Sequence, residues 1–339
     1  MKCSTGIVFV IVLLISVFSK PHKKSTNSHG KLAKKYANLA KMLNCASKPL
    51  KKTCKKCLHS KGNKLFFFYQ ATRLRKFVYK FMIHYNDKTK TILITFSGPT
   101  RNYRNYLKYI YSSGWKSIRQ NSVSIEKEFF NVYFQKIRSI LVKKVKKVMK
   151  SGRKNYKFHF TGFGLGGSIA TLAAFDLTSR NVINSKKNMP LLLTFGQLRI
   201  GNLAFVKRVN ATIQLIFRIV KENDYIVRAP SCYFSHITKT WKCFNKKAVS
   251  VSLKKNKFPL KNYLRGYLGK NKSKSASFVK NILRNQPLGK LVLYNPKMKK
   301  FKLCAFKNGV SDCEKKIKTP NTFSEKSHFS YFGLKFNKC

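Results

Sequence analysis

A glycine-rich turn between an apolar strand and an apolar helix is the part of the sequence best suited to chemistry. In residues 156–176, aromatic side chains alternate as in a buried strand, and small apolar residues then recur at helical spacing. Strand, tight turn and helix form a nucleophile elbow, in which a G-x-S-x-G turn presents a serine hydroxyl for acyl transfer. Here the turn reads Gly162-Phe163-Gly164-Leu165-Gly166. The frame of an acyl-transfer site is therefore present, and its apex is a glycine.

Glycine-rich turns also bind phosphate where a helix begins, so this turn alone is a weak signal. The sequence contains no G-x-x-x-x-G-K-[ST] motif. It also lacks a G-x-G-x-x-G motif with an acidic residue about 20 positions further on. Both absences argue against a nucleotide-binding turn and favour the elbow.

Asp224 is the next candidate for chemistry. Residues 216–220 predict a buried strand, and Asp224 follows at its carboxyl end, where an open α/β sheet places its functional groups. The chain has only nine acidic residues, so one in this place is informative. The alternative is a turn residue that caps the following segment.

Five ordered segments resemble the class 3 lipases, which are fungal-lipase-like α/β-hydrolases whose elbow usually reads T-G-H-S-L-G-G. The segments are the elbow and residues 191–210, 217–230, 233–241 and 327–333. The resemblance covers about residues 32–245 and the C-terminal segment. It implies an α/β-hydrolase fold, with a mostly parallel central sheet flanked by helices, and a relation to the hydrolysis of ester lipids such as triacylglycerol.

The resemblance also implies the roles of single residues. It makes Asp224 and His328 the aspartate and histidine of a catalytic triad, and it puts Gly164 at the nucleophile position. The order of the three matches that of α/β-hydrolases. For His328 the alternative is a surface histidine near the chain end.

The oxyanion hole of the resembling family uses two backbone positions. One corresponds to Leu165, directly after the apex, and the other to Pro99. Proline has no N–H to donate, so the second donor is missing unless a one-residue insertion lets Thr100 replace it. The catalytic apparatus therefore departs from the family pattern at two independent points.

Residues 100–115 stand at the lid position of the family. On a helix, one face carries apolar and aromatic side chains beside a cationic face, which suits a lid that opens onto an anionic lipid surface. The apolar face consists of Tyr103, Tyr106, Leu107 and Ile110. The alternative is an ordinary helix packed on the core.

The N-terminus and the cysteines indicate secretion. Residues 1–19 read as a signal peptide rather than an anchor, and no later apolar run is long enough to span a bilayer. Residues 20–339 then form a single domain, with a basic insertion at about 246–300. Removal of the signal leaves eight cysteines, an even number that suits structural disulfides. We expect local bridges for Cys232 with Cys243 and Cys304 with Cys313, whereas three pairings remain open for Cys45, Cys54, Cys57 and Cys339.

The net charge is the most unusual property of the composition. Seventy-two basic and nine acidic residues give a formal charge of +63, spread along the whole chain. Such a field attracts phospholipid head groups, polysaccharides and nucleic acid alike, although compositional drift would produce the same excess. No pattern in the sequence requires a metal or a cofactor. The leading hypothesis is a secreted, lipase-like pseudoenzyme that binds lipid; the alternatives are a slow esterase and a polyanion-binding protein on the same scaffold.

Overall fold

The computed structural model describes most of the chain from residue 26 to residue 338. The described residues are 26–46, 62–73, 77–100, 103, 106, 107, 110, 115–117, 123–201, 203–228, 232–235, 240–243, 288–304, 306–307, 310–311, 313 and 325–338. The predicted signal peptide and residues 246–287 of the predicted insertion lie outside these ranges.

An eight-stranded sheet forms the centre of the molecule. Its strands are β1 Lys64–Arg73, β2 Phe77–Asn86, β3 Thr91–Ser97, β6 Lys157–Phe163, β7 Leu191–Phe195, β8 Leu215–Lys221, β11 Lys290–Tyr294 and β12 Phe301–Leu303. They lie side by side in the order β1-β2-β3-β6-β7-β8-β11-β12. The five strands from β3 to β11 are parallel, and the pairs at the two edges are antiparallel. The mostly parallel sheet of an α/β-hydrolase is therefore confirmed.

Described helices lie between β3 and β6, between β6 and β7 and between β7 and β8, as crossovers between parallel strands require. The helices are α1 Thr26–Cys45, α2 Lys127–Phe130, α3 Arg138–Val148, α4 Leu165–Ser179, α5 Ser185–Asn188, α6 Leu203–Thr212 and α7 Glu325–His328. The π-helical turns Asn131–Ile137 and Met149–Arg153 continue α2 into α3 and extend α3. Together they form one long helical segment before the elbow strand β6.

The remaining strands form small two-stranded ribbons. They are β4 Trp115–Ser117 with β5 Ser124–Glu126, β9 Cys232–Ser235 with β10 Thr240–Cys243, β13 Phe306–Lys307 with β14 Val310–Ser311, and β15 Ser330–Tyr331 with β16 Leu334–Lys335. The last ribbon directly follows α7, which carries His328, and its strand β15 contributes Tyr331 to the site described below.

The predicted basic insertion requires a correction. Its last part contains β11, which pairs in parallel with β8 inside the central sheet, so residues 290–294 belong to the core architecture. Leu291 and Val292 are buried there. The strand was missed because its apolar run is only four residues long and stands among lysines.

Disulfides close part of the C-terminal half. Cys304 and Cys313 are bonded to each other, as the sequence predicts. Cys45 is disulfide-bonded as well. Cys232 and Cys243 are directly opposed in the β9–β10 ribbon. The residues Cys54, Cys57 and Cys339 lie outside the described part of the chain. Within that part, no helix combines the length and apolar character needed to cross a membrane.

Candidate active site

The elbow lies between β6 and α4, at the carboxyl end of the central strands. Phe163 ends β6, Leu165 begins α4, and Gly164 joins them with φ +54° and ψ −118°. Residues with a side chain rarely adopt a positive φ of this kind, and hydrolases hold their nucleophile in such a strained turn. The Gly164 N–H donates to the Phe195 carbonyl of β7 at 2.8 Å. The predicted turn is therefore present in full, with no side chain at its apex.

Close packing explains the glycines on both sides of the apex. A Cβ added at Gly162 would lie 2.5 Å from the Gly166 carbonyl carbon, and one added at Gly98 would lie 2.5 Å from the Leu165 Cβ. A Cβ on Gly166 would collide with the Phe96 carbonyl of β3. Strand and helix approach too closely for any side chain at these positions. The elbow glycines thus serve packing, whatever residue stands at the apex.

His328 and Asp224 form a buried pair beside the apex. The His328 Nδ1 lies 2.9 Å and 3.0 Å from the two Asp224 carboxylate oxygens, and the side chains are 1% and 0% exposed. A carboxylate only accepts hydrogen bonds, so Nδ1 carries the hydrogen and Nε2 is left as the acceptor. An imidazole held in this way is oriented as a general base, with Nε2 as its active nitrogen.

Asp224 has a second partner that the sequence did not point to. The Tyr331 hydroxyl donates to Asp224 Oδ2 at 2.6 Å, and burial together with the Asp224 charge raises the pKa of Tyr331 well above its usual value. The Lys221 ammonium donates to the Ser330 carbonyl at 2.7 Å, and burial lowers the pKa of Lys221. The Tyr331 hydroxyl and the His328 Nδ1–H are thus two donors to the buried carboxylate, and together they fix its orientation toward His328.

The nitrogen that would face a nucleophile also has a partner. The Tyr103 hydroxyl lies 3.0 Å from His328 Nε2, and the two rings are stacked with centroids 5.2 Å apart. A Cβ added at Gly164 would lie 3.1 Å from His328 Nε2 and 3.8 Å from the Tyr103 hydroxyl oxygen. The structure therefore brings Gly164, Asp224 and His328 together and adds a phenol to them.

The four residues predicted to face lipid are instead buried in this conformation. Tyr106 and Leu107 are fully buried, and Tyr103 and Ile110 are each 3% exposed. The Tyr106 hydroxyl is hydrogen-bonded to that of Tyr79 on β2. The apolar face packs against the protein because burying large aromatic side chains is lower in free energy than exposing them to water. A lipid-facing role for these residues requires that they leave the core, and it stays a prediction.

The two predicted oxyanion positions lie next to each other. The clash expected for a Cβ at Gly98 shows that the loop after β3 passes directly against Leu165 at the start of α4. In that loop Pro99 is buried and Thr100 is half-buried. The N-terminus of α4 can offer backbone N–H groups to an anion, whereas Pro99 has none to offer.

An aromatic shell encloses the histidine. The Phe163 ring lies 4.8 Å from the His328 ring and 4.0 Å from that of Phe336, on which it stacks. Gly196, with φ +54°, provides the remaining space, because a Cβ there would lie 3.0 Å from Asp224 Oδ2 and 3.2 Å from His328 Cε1. Gly196 directly follows the buried strand β7, and this position was the sequence signal that could have identified it as a residue of the site.

Two other described histidines lie in or beside the core, His84 buried and His159 half-buried. His159 is hydrogen-bonded to the Tyr36 hydroxyl of α1, and burial lowers the pKa of His159 to about 3. Burial lowers the pKa of His84 to about 4, and neither of its ring nitrogens has a hydrogen-bond partner among the described residues. Among those same residues, no cluster of side chains is suited to hold a metal ion.

Comparison with known proteins places this geometry in context. The family model for lipase (class 3) matches residues 93–234, which include the elbow and Asp224. The structure of lipase II from Rhizopus niveus superposes with a TM-score of 0.65 at 21% identity, covering 91% of this chain and 96% of that one. The chain has a class 3 lipase-like fold.

Sequence relatives are only partly covered by this lipase-like chain. A lipase of Rhizomucor miehei is 31% identical over 156 residues, which are 46% of this chain and 42% of that protein. Lipase ZK262.3 of Caenorhabditis elegans is 26% identical over 148 residues, 43% of this chain and 40% of that protein. The matches span about two fifths of these two relatives.

Proposed function

We propose that the protein is a secreted, lipase-like protein that binds lipid at anionic surfaces and is catalytically impaired. The observation that carries the proposal is the apex of the elbow. Gly164 presents no oxygen there, while His328 and Asp224 keep the geometry of a base and its orienting carboxylate. Similarity to lipases supports ester lipids as the class of ligand.

The expected loss of activity follows from known hydrolase chemistry. Removal of a serine nucleophile alone costs about 10⁶ in turnover. A site without a working triad still accelerates the reaction by about 10³–10⁴ over water, through binding and its oxyanion hole. Pro99 removes one of the donors on which that remainder depends. We therefore expect ester turnover close to the uncatalysed rate.

Fatty-acid release from short-chain and long-chain esters tests the impaired activity. The purified protein should release no more fatty acid than the Gly164→Ala variant, which adds a Cβ without an oxygen. The His328→Ala variant is the second control. Clear turnover that disappears in His328→Ala would contradict the proposal.

A slow, unconventional esterase is the second candidate, and one contact favours it. The Tyr103 phenol lies within hydrogen-bond distance of His328 Nε2, so it is the nearest hydroxyl that this base could activate. A fluorophosphonate probe followed by peptide mass spectrometry distinguishes the two candidates. A phosphonylated Tyr103 that is lost in His328→Ala would favour the esterase, whereas an unlabelled site supports the impaired protein.

Binding to anionic surfaces is the other part of the proposal, and a polyanion-binding protein on a lipase-like scaffold is its alternative. The charge of +63 supports both. Vesicles of phosphatidylglycerol should bind more tightly than vesicles of phosphatidylcholine. Affinity for heparin that exceeds affinity for the anionic vesicles and falls steeply with salt would favour the polyanion alternative.

Two matched sets of lysine variants test whether a diffuse field or one surface is responsible. Each set replaces three exposed lysines by glutamine, so the change in charge is the same. The first set is Lys143, Lys146 and Lys147 of α3, and the second is Lys297, Lys299 and Lys300 between β11 and β12. A diffuse field predicts similar losses of vesicle binding in both sets. A loss confined to one set would instead locate a binding surface.

Secretion and domain organisation complete the proposal. We propose that residues 1–19 are removed as a signal peptide and that residues 20–339 form one domain. Expression of the full chain in a secreting eukaryotic host, followed by N-terminal sequencing of protein from the medium, tests the cleavage. Retention of the intact N-terminus in the membrane fraction would indicate an anchor instead.

A further inference from the structure

We propose that Asn210 is an N-glycosylation site and that its glycan lies on the edge of the sheet opposite the elbow. Asn210-Ala211-Thr212 forms an N-x-T acceptor motif in which the middle residue is not proline. The inference rests on the proposed secretion, because N-glycans are added in the secretory pathway. It goes beyond that proposal by naming the modified atom and the face of the protein that the glycan covers.

The motif lies on the outer face of α6, at the end of the helix. Phe205 and Val209 are buried against the core, whereas Asn210 and Ala211 are exposed and α6 ends at Thr212. A glycan is bulky and hydrophilic, so it requires a position on the surface. Because the transferase acts on the chain before it folds, the helical conformation of the folded motif does not prevent the transfer. A glycan added to the unfolded chain has room in the folded protein.

The Asn210 amide is held through its oxygen, which is the atom that glycosylation leaves unchanged. The Gly289 N–H, directly before β11, donates to Asn210 Oδ1 at 2.9 Å. A side-chain amide has one acceptor oxygen and a nitrogen with two hydrogens, and N-glycosylation replaces one of these hydrogens. The hydrogen bond from Gly289 therefore persists in the glycosylated protein and orients the amide that carries the glycan.

The covalent step uses a donor that the host cell supplies, a lipid-linked oligosaccharyl diphosphate bound to the oligosaccharyltransferase. A bond forms between Asn210 Nδ2 and the anomeric carbon of the first sugar, and the bond from that carbon to the diphosphate oxygen breaks. Nδ2 gives up one proton, and the lipid diphosphate leaves with the electron pair of the broken bond. The Thr212 hydroxyl is the part of the motif that the transferase requires besides the amide.

The contact with Gly289 places the glycan at the amino edge of the parallel strands. Gly289 precedes β11, which runs parallel to β8. The elbow and Asp224 follow the carboxyl ends of β6 and β8, at the opposite edge. Strands rise about 3.3 Å per residue, so the seven residues of β8 separate the two edges by about 20 Å. The glycan therefore keeps the amino edge in water and leaves the elbow edge uncovered.

Peptide mass spectrometry of protein secreted by a eukaryotic host tests the site. Enzymatic release of N-glycans in heavy-oxygen water converts a modified asparagine into a labelled aspartate. The method therefore distinguishes Asn210 from the second motif of the sequence, at Asn271, which lies outside the described residues. We expect the label at position 210 in most molecules of the unaltered protein and its complete loss in Thr212→Ala.

Thr212→Ser is the matched control, because it keeps the motif and should keep the label. Both variants retain the Asn210 side chain and its bond to Gly289, so they differ in the acceptor motif alone. Secreted protein without the label at position 210, or a label that persists in Thr212→Ala, would overturn the inference. If Thr212→Ala does not fold, the unaltered protein and Thr212→Ser decide the question.

A second version of the protein separates this site from the proposed signal peptide. It is the full chain with a secretion signal of the host placed ahead of Met1, so its export does not depend on residues 1–19. If only this version is secreted and Asn210 is labelled, the proposed signal peptide is wrong and the glycosylation site stands. If this version is secreted without the label, the glycosylation site is wrong and the proposed secretion is judged separately.

Amide hydrogen exchange tests the placement of the glycan. In Asn271→Gln, which leaves Asn210 as the acceptor, enzymatic release of the glycan should speed exchange in residues 207–212 and 288–290. Exchange in residues 163–167 of the elbow should not change, because the elbow lies at the other edge of the sheet. Faster exchange in the elbow after release, or unchanged exchange around Gly289, would overturn the placement at the amino edge.

Discussion

Placing a hydroxyl at the apex of the elbow is the sharpest perturbation that the structure offers. In Gly164→Ser, the new Cβ would lie 3.1 Å from His328 Nε2, so the imidazole must move by a few tenths of an ångström. The serine hydroxyl could then reach Nε2, where the Tyr103 hydroxyl already lies at 3.0 Å. The two hydroxyls compete for one acceptor. We therefore predict partial activity from the single variant and more from Gly164→Ser combined with Tyr103→Phe.

Three effects set the size of the gain. A serine nucleophile is worth about 10⁶ in turnover. Pro99 has no N–H to donate to an oxyanion, and the loss of one oxyanion-hole donor lowers turnover by about 10²–10³. About 10³–10⁴ over the unaltered protein remains for the double variant. Competition by a neutral buried hydrogen bond, worth about 0.5–1.5 kcal/mol, lowers the single variant by a further factor of about 2–12.

Two measurements check these values. Hydrolysis of a short-chain nitrophenyl ester gives the rates, and a fluorophosphonate probe reports whether the new serine is nucleophilic. Gly164→Ala is the control for the added Cβ, and thermal melts establish that each variant is folded. The reasoning is refuted if Gly164→Ala is as active as Gly164→Ser, or if folded Gly164→Ser resists the probe in both tyrosine backgrounds.

Three further predictions concern stability. Burial lowers the pKa of His84 to about 4 and that of His159 to about 3, so the unfolded chain binds more protons than the folded chain below about pH 6.5. The free energy of unfolding should therefore be highest above that pH and fall as the pH drops toward 4, by up to about 3 kcal/mol for His84. Urea unfolding from pH 7.5 to 4.5 measures this loss. Gly166→Ala should lower the free energy of unfolding by about 3 kcal/mol, because the added Cβ clashes with the β3 backbone. Gly152 has φ +81° and open space around it, so Gly152→Ala should lower that free energy by only about 1–2 kcal/mol. Equal losses would contradict the packing account. Cys304→Ala should cost about 2–3 kcal/mol by opening a short loop, and a melting temperature insensitive to this change would count against a stabilising role for the bridge.

Local patterns predicted the centre of the sheet and missed its margins. Residues 216–220 are predicted as a buried strand, and β8 Leu215–Lys221 contains them. The strand β1 was missed because Lys64–Arg73 has a run of aromatic residues without clear alternation. The strand β11 was missed because its apolar run is only four residues long and stands among lysines.

The candidate site shows the same division. Asp224 and the elbow could be predicted because each lies directly next to a buried strand, at a spacing that the backbone imposes. The contact of Tyr103 with His328 could not be predicted. Helical periodicity places Tyr103 on one face with its neighbours, but it does not show which part of the protein that face contacts. The hydrogen bond from Tyr331 to Asp224 likewise depends on how the chain end packs.

The structure also explains how the elbow keeps its shape with a glycine at its apex. The glycines at 162 and 166 are required by the close approach of β6, α4 and β3, and that requirement does not involve the apex. At the apex itself, φ of +54° costs a residue with a side chain about 1–2 kcal/mol that glycine does not lose. Glycine at the apex avoids that cost, and the close packing at residues 162 and 166 does not depend on a side chain there. A buried acceptor without a hydrogen bond is unfavourable, and the Tyr103 hydroxyl gives His328 Nε2 its partner. The glycine apex and the tyrosine hydroxyl beside it are thus two parts of one stable arrangement.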